Sequence, residues 1–237
     1  MKFLFLLFGF LCCSCVTISC FSKKEYNIKD AYVSVGRLSV ISNDKKNIIS
    51  ATGFAIDYQH VVSAGHFCIS VFESNVKGTF PEKIDISIIH HNSVLILYEQ
   101  LEIEEIDEKL DICILRGDHR LIPLAFGNFD KIEIGDKISV LGAPLFMFPV
   151  LSEGWIIEPR FDMGNEKEKR EMLFVDVHVS QGTSGSPVLN ERGEVIGMVI
   201  MQIVSSPALS ADSPFAIAQR GDIIQNWISK IKLEENW

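Results

Sequence analysis

Ser184 lies in Gln181-Gly182-Thr183-Ser184-Gly185-Ser186-Pro187, where small residues flank a hydroxyl on both sides. Such a stretch bends sharply, so the Ser184 hydroxyl projects outward while the amides of Gly182 and Ser184 can point into a common space. A hydroxyl beside two such N–H groups is a nucleophile beside an oxyanion hole, the equipment of acyl transfer. The same residue types also build ordinary turns between strands, so the stretch alone leaves both readings open. A serine nucleophile needs a histidine base and a carboxylate to orient it, and the chain supplies a candidate for each. His66 follows Val61-Val62-Ser63-Ala64-Gly65, a β-branched run ending in small residues, which predicts an imidazole at a strand terminus on the surface. Asp111 heads the apolar run Ile112-Cys113-Ile114-Leu115. A carboxylate there must be exposed or hydrogen-bonded, since burying it unpaired is costly, and a histidine Nδ1–H would satisfy it; a plain strand-start turn is the alternative. His60, His90, His91 and His119 lack the small-residue approach of His66 and are expected on loops. No Cys/His spacing predicts a zinc site, and the chemistry calls for neither a metal nor an organic cofactor.

The elements that must position these residues read as strands. From Ala31 onward, short apolar stretches alternate with turn residues and helical periodicity is almost absent. Strands are expected over 32–40, 48–56, 60–64, 84–89, 93–97, 101–106 and 112–115, enough to close one antiparallel barrel over residues 30–120. Residues 121–136, with Pro123 and Gly127, read as a connection. A second set follows over 137–142, 154–157, 173–179, 195–201 and 215–218, within a second unit spanning 137–220. Ile224, Trp227, Ile228 and Ile231 recur at three- and four-residue steps after Asp222, which predicts an amphipathic helix over 221–233. The run 165–171 mixes both charges and reads as a solvated loop.

The 237 residues, 47% of them hydrophobic, suffice for a full core in one domain or two halves sharing an interface. A net charge of −9 argues against nucleic acid or an anionic membrane surface as partner, because no basic patch exists to release counterions. Met1-Lys2 followed by an uncharged run from Phe3 to Phe21 reads as an export segment over residues 1–21. Cys12, Cys13, Cys15 and Cys20 fall inside it, leaving Cys68 and Cys113 for the body, so no disulfide framework is expected. Thr17-Ile18-Ser19-Cys20 resembles a relaxed lipobox that would place a lipid on Cys20. A cleaved signal giving a secreted protein and a retained anchor remain alternatives. Each places the body outside the cytoplasm, with membrane contact only through this segment or its lipid.

Thr52-Gly53-Phe54-Ala55-Ile56, then 61–66, Leu110-Asp111-Ile112 and 182–187 resemble the chymotrypsin-like serine endopeptidase superfamily, in which histidine, aspartate and serine come in this order. Within it the chain is most similar to bacterial HtrA-type proteases and glutamyl endopeptidases. The stretches 134–144, 193–198 and 214–218 carry the HtrA likeness, and Ser186 in place of a second glycine is more like the glutamyl enzymes. The resemblance covers residues 30–232. It implies an all-β fold of two six-stranded antiparallel barrels with the cleft between them, a C-terminal helix, and His66, Asp111 and Ser184 as triad. Gly182 and Ser184 would supply the oxyanion hole. Protein or peptide substrates are implied as partners. Thr183 replaces the aspartate that pairs with a freed N-terminus in animal trypsins, so that activation route is not implied. The chain has no room for a PDZ domain after residue 237. No cysteine on the preceding strand can bridge Cys68, so a disulfide beside His66 is not expected, and Cys68 and Cys113 read as small buried hydrophobes. By resemblance, 176–181 and 196–201 line the specificity pocket. Met198, Val199 and Ile200 favour aliphatic side chains there, His178 an acidic one, and nothing favours Arg or Lys. A barrel protein that binds without catalysis is the competing reading, since folds are reused. A cysteine nucleophile is excluded by Ser184.

Overall fold

A computed structural model describes residues 28–78, 84–89, 96–147, 149–164, 169–203 and 213–235. The export segment and His90-His91 lie outside these residues. The chain forms two closed six-stranded barrels. The first contains β1 (Val35–Ile41), β2 (Ile48–Ala55), β3 (His60–Ala64), β4 (Ile84–Ile89), β5 (Ile96–Asp107) and β6 (Ile112–Arg116), in the order β1-β2-β3-β6-β5-β4. The second contains β7 (Lys137–Gly142), β8 (Val150–Asp162), β9 (Glu171–Val179), β10 (Pro187–Leu189), β11 (Val195–Gln202) and β12 (Ser213–Arg220), in the order β10-β11-β12-β9-β8-β7. All pairings of the strand ladders are antiparallel.

The apolar residues divide into three cores, and strand parity decides which core each enters. On β6, Cys113 and Leu115 face the first barrel's interior while Ile112 and Ile114 face a seam shared with the second barrel. On β3, Val61 and Val62 split the same way. This is why both strands are apolar without alternation: each is buried on two faces. The second barrel fills its interior with Ile138, Val140, Val175, Val177 and Val188 among others. The final helix, α2 (Gly221–Glu235), lays Ile224, Ile228 and Ile231 into the seam. At its start Arg220, nearly buried, grips Asp222 through Nε (3.1 Å) and Nη2 (2.7 Å), bonds Glu171 through Nη1, and stacks over Phe129 with 4.5 Å to the ring centroid.

Several elements differ from the sequence expectation. Residues 93–95 of the expected strand over 93–97 lie outside the described residues, and its last two residues and the expected strand over 101–106 belong to one long strand, β5. β8 runs for 13 residues where the pattern gave four, because the charges of Glu153, Glu158 and Arg160 interrupt its apolar alternation. β10, only three residues long, was not expected. An α-helix, α1 (Gly65–Val76), begins directly after β3, so His66 stands in a first helical turn and not merely at a strand end. Cys68 and Cys113 are fully buried, as small hydrophobes would be, but are joined in a disulfide. The bridge partner of Cys68 comes from β6, not from the preceding strand, and this corrects the expectation of free thiols.

Candidate active site

The register of two strands brings the first two candidates together. Ala64 on β3 pairs with Ile112 on β6, so His66, just beyond one, and Asp111, just before the other, emerge at the same end of the first barrel. Asp111 has φ 56°, a left-handed conformation that aspartate tolerates better than most residues. Gly65 permits the approach: a Cβ there would lie 2.8 Å from Ile112 N and 2.9 Å from Asp111 C. Asp111 Oδ1 accepts the His66 backbone N–H at 2.7 Å, and the two carboxylate oxygens stand 3.1 and 3.0 Å from His66 Nδ1. The helix N-terminus is thus capped from 45 positions away, and Ala64, its local N-cap, contributes no side-chain bond. Burial alone would raise the Asp111 carboxyl, but the His66 hydrogen bonds and charge, helped by the Arg170 charge, hold it below its ordinary value. An ionised carboxylate only accepts hydrogen bonds, so Nδ1 carries the imidazole proton and Nε2 is left as the basic nitrogen. The imidazole is about half exposed, at 47% of its side-chain surface.

The Ser184 turn is set by four successive peptide planes, in each of which the C=O and N–H of a trans peptide point in opposite directions. Gln181 C=O accepts from Leu145 N at 2.8 Å, which turns the Gly182 N–H the other way. The next plane is held at both ends: Gly182 C=O accepts from Thr52 Oγ1 at 2.8 Å and Thr183 N–H donates to Ser180 C=O at 3.1 Å. Thr183 C=O accepts from Ser186 N at 2.9 Å, which turns the Ser184 N–H away from the turn. The fourth plane is again held twice, by Thr52 N to Ser184 C=O (2.8 Å) and Gly185 N to Val199 C=O (2.7 Å). Of the four N–H groups on these planes, those of Gly182 and Ser184 have no backbone acceptor among the described residues. Gly182 has φ +97°, and a Cβ would lie 2.6 Å from Ala143 C=O, so only glycine fits. Ser184 is partly exposed, whereas the Ser186 hydroxyl is buried with no hydrogen-bond partner among the described residues.

The expected specificity residues do not form one group. A register shift disturbs the β10–β11 ladder, and beyond it Met198 and Ile200 face the seam while Val199 points into the second barrel's interior. His178, on β9, is exposed. The period of two places Val199 on the face of β11 opposite Met198 and Ile200. A cavity of about 200 Å³ does open beside the turn, lined by Ile48, Ile49, Ser50, Leu145, Gln181 and Gly182. His60 is not a loop histidine: it begins β3, buried, with Nδ1 2.8 Å from Asp57 and Nε2 3.2 Å from Glu104. His119 is also buried, and burial lowers its pKa more than its neighbours raise it. Thr52 is the site residue that sequence reasoning missed. Its signal was a lone hydroxyl in the apolar run Ala51–Ile56.

Two closed six-stranded antiparallel barrels, with a His–Asp pair on one and a serine turn on the other, define the chymotrypsin-like class. The trypsin-like peptidase domain model matches residues 51–198, and the chain belongs to that family. A protein of Arabidopsis thaliana described as "Putative protease Do-like 14" is 25% identical over 202 residues, covering 80% of this chain and 44% of that protein. A protein of Brucella suis described as "Probable periplasmic serine endoprotease DegP-like" is 25% identical over 195 residues, covering 80% of this chain and 34% of its own length. The chain therefore spans less than half the length of either relative. Among solved structures, the active form of the Rv3671c protease from M. tuberculosis superposes with a TM-score of 0.67 at 19% identity, covering 85% of this chain and 82% of that one. Deg5 gives 0.67 at 18% identity, covering 84% and 88%.

Proposed function

We propose that the chain is an exported serine endopeptidase that cleaves peptide bonds through His66, Asp111 and Ser184. The observation that carries this reading is the pair of uncommitted amides, Gly182 and Ser184, in a turn tied to the barrel that bears a His66–Asp111 pair. Ser184 Oγ attacks the scissile carbonyl as His66 Nε2 takes its proton. Asp111 holds the Nδ1–H tautomer and stabilises the imidazolium. The Gly182 and Ser184 amides receive the developing oxyanion. His66 then returns the proton to the leaving amine, and water hydrolyses the acyl-enzyme by the same route. The cavity walled by Ile48 and Leu145, both exposed, takes an aliphatic side chain of the leaving segment. Export is supported by the apolar N-terminal run, by a disulfide that an oxidising compartment would preserve, and by relatives described as periplasmic.

The test is covalent labelling with a fluorophosphonate, read by intact mass on wild type, Ser184→Ala and His66→Ala. A single adduct on wild type and none on either variant is the expected result. A folded wild type that takes no adduct would overturn the reading and leave a binding protein.

A further inference from the structure

Thr52 is fully buried on β2, in the first barrel, yet most of its polar bonds go to the second. Its N–H donates to Ser184 C=O at 2.8 Å. Its hydroxyl donates to Gly182 C=O at 2.8 Å and accepts from Ala143 N–H at 2.9 Å. Its own carbonyl accepts from Ser63 Oγ at 2.7 Å, and Ser63 lies on β3, three residues before His66. Every polar group of the residue is therefore committed, and the hydroxyl acts as donor and acceptor at once.

From this geometry we infer that Thr52 is a positioning residue for the oxyanion amides, a role that rests on the peptidase reading above. The peptide planes carry this role. Gly182 N–H is oriented by Leu145 N–H, which holds Gln181 C=O on the opposite side. Leu145 belongs to the segment 143–145, and Leu145 itself has φ 49°, a conformation that a leucine keeps only when its surroundings impose it. The Thr52 hydroxyl staples that segment through Ala143 N–H and, with the same oxygen, fixes the following plane through Gly182 C=O. The Ser63 bond ties this staple to β3, the strand that leads directly into the helix bearing His66. Base and oxyanion amides thus share one hydrogen-bonded node across the barrel boundary. Valine has the shape of threonine but neither donor nor acceptor. It leaves Gly182 C=O and Ala143 N–H unpaired in a dry site, so both planes are released. Serine keeps the hydroxyl.

The experiment compares wild type, Thr52→Val and Thr52→Ser for kcat and KM on one peptide substrate and for fluorophosphonate labelling rate, with thermal unfolding measured alongside. For T52V the expected result is a fall in kcat of at least about 10-fold, toward the 10²–10³ of a lost oxyanion donor. KM should stay within about twofold, because the interaction is made with the transition state and not with the bound substrate. Labelling should slow in parallel, and T52S should recover most of the rate. Should T52V fail to fold, T52A gives the same readout with water admitted to the site. A folded T52V or T52A with kcat within about threefold of wild type would overturn the role, as would a loss confined to KM. T52S as slow as T52V would also overturn it, since the packing of a γ-methyl would then matter more than the hydroxyl. An inactive, unlabelled wild type brings down the peptidase reading and this role with it; an active wild type with an unaffected T52V brings down this role alone.

Discussion

Asp111 serves two donors with one carboxylate: Oδ1 caps the His66 backbone amide at 2.7 Å, and both oxygens face Nδ1. Asn in its place would keep an oxygen for the cap and would tolerate the left-handed φ of 56° at least as well. Its NH₂ would then be turned toward Nδ1, which forces Nδ1 to accept and moves the imidazole proton to Nε2, the wrong tautomer for a base. Asp111→Asn should therefore fold with little change in Tm and lose about 10³–10⁴ in kcat. Steady-state kinetics and a thermal melt check both halves, and activity within about tenfold of wild type would contradict the tautomer argument. The triad candidates were legible in the sequence because each stands in a locally unusual setting: a histidine after three small residues, a carboxylate heading an apolar run, a serine between glycines. Thr52 was not, because its partners at Gly182 and Ala143 lie 130 and 91 residues away. The faces of Met198, Val199 and Ile200 were not legible for a different reason: consecutive strand residues alternate, and which face each takes depends on register shifts against both β10 and β12.

At the scale of elements, α1 shows how a helix can escape its own sequence. Its N-cap is supplied by Asp111, its buried stripe is reduced to Phe67, Cys68 and Val71, and Phe72 and Val76 are exposed, so neither capping nor periodicity marks it. What secures it is the Cys68–Cys113 bridge, which joins the helix carrying His66 to the strand that follows Asp111. The bridge closes a loop of 45 positions. Constraining such a loop stabilises the fold by about 2–4 kcal/mol in the chain-entropy description. The double variant Cys68→Ala, Cys113→Ala should lose that amount in urea unfolding, and a loss below about 1 kcal/mol would mean that packing alone holds α1 in place. The junction of β9 and α2 offers a pH test. Glu171 is held down at about 2, first by its hydrogen bond from Lys169, against burial, with Arg160 and Arg220 adding to the effect. A carboxyl depressed in the folded state stabilises fully above its unfolded value of about 4.3, and that contribution fades as the pH falls toward the folded value. Wild type should therefore exceed Glu171→Gln in stability at neutral pH, and the gap should close between about 4.3 and about 2. A gap that stays constant across this window would show that Glu171 acts by shape and not by charge.

At the scale of the molecule, the pattern gave two sets of short strands and one terminal helix and the resemblance implied the two barrels, but the seam was not legible, because it is assembled from alternate faces of strands far apart in sequence. The seam core contains Val35, Phe54, Val62, Ile112 and Ile114 from the first barrel and Leu141, Leu189, Met198 and Ile217 from the second. α2 closes it with Ile224, Ile228 and Ile231, and Lys232 reaches across to Asp57 at 3.2 Å. Two barrels that each had a complete core would unfold separately. Here the faces of β3 and β6 that support the His66–Asp111 pair are buried against residues of the other barrel and of α2. Removing packing from the seam should therefore weaken both barrels together. Ile224 is fully buried in it, and Ile224→Ala should cost about 2–5 kcal/mol by the loss of buried methylenes and the cavity left behind. Native-state hydrogen exchange distinguishes the two pictures. If the seam is one cooperative core, amides of β6 and β9 lose protection in equal measure, and fluorophosphonate labelling weakens on heating at the same lowered midpoint. If β9 alone loses protection while β6 keeps its own, the barrels are independent units, and the site between them is held by the Thr52 bonds without help from the helix.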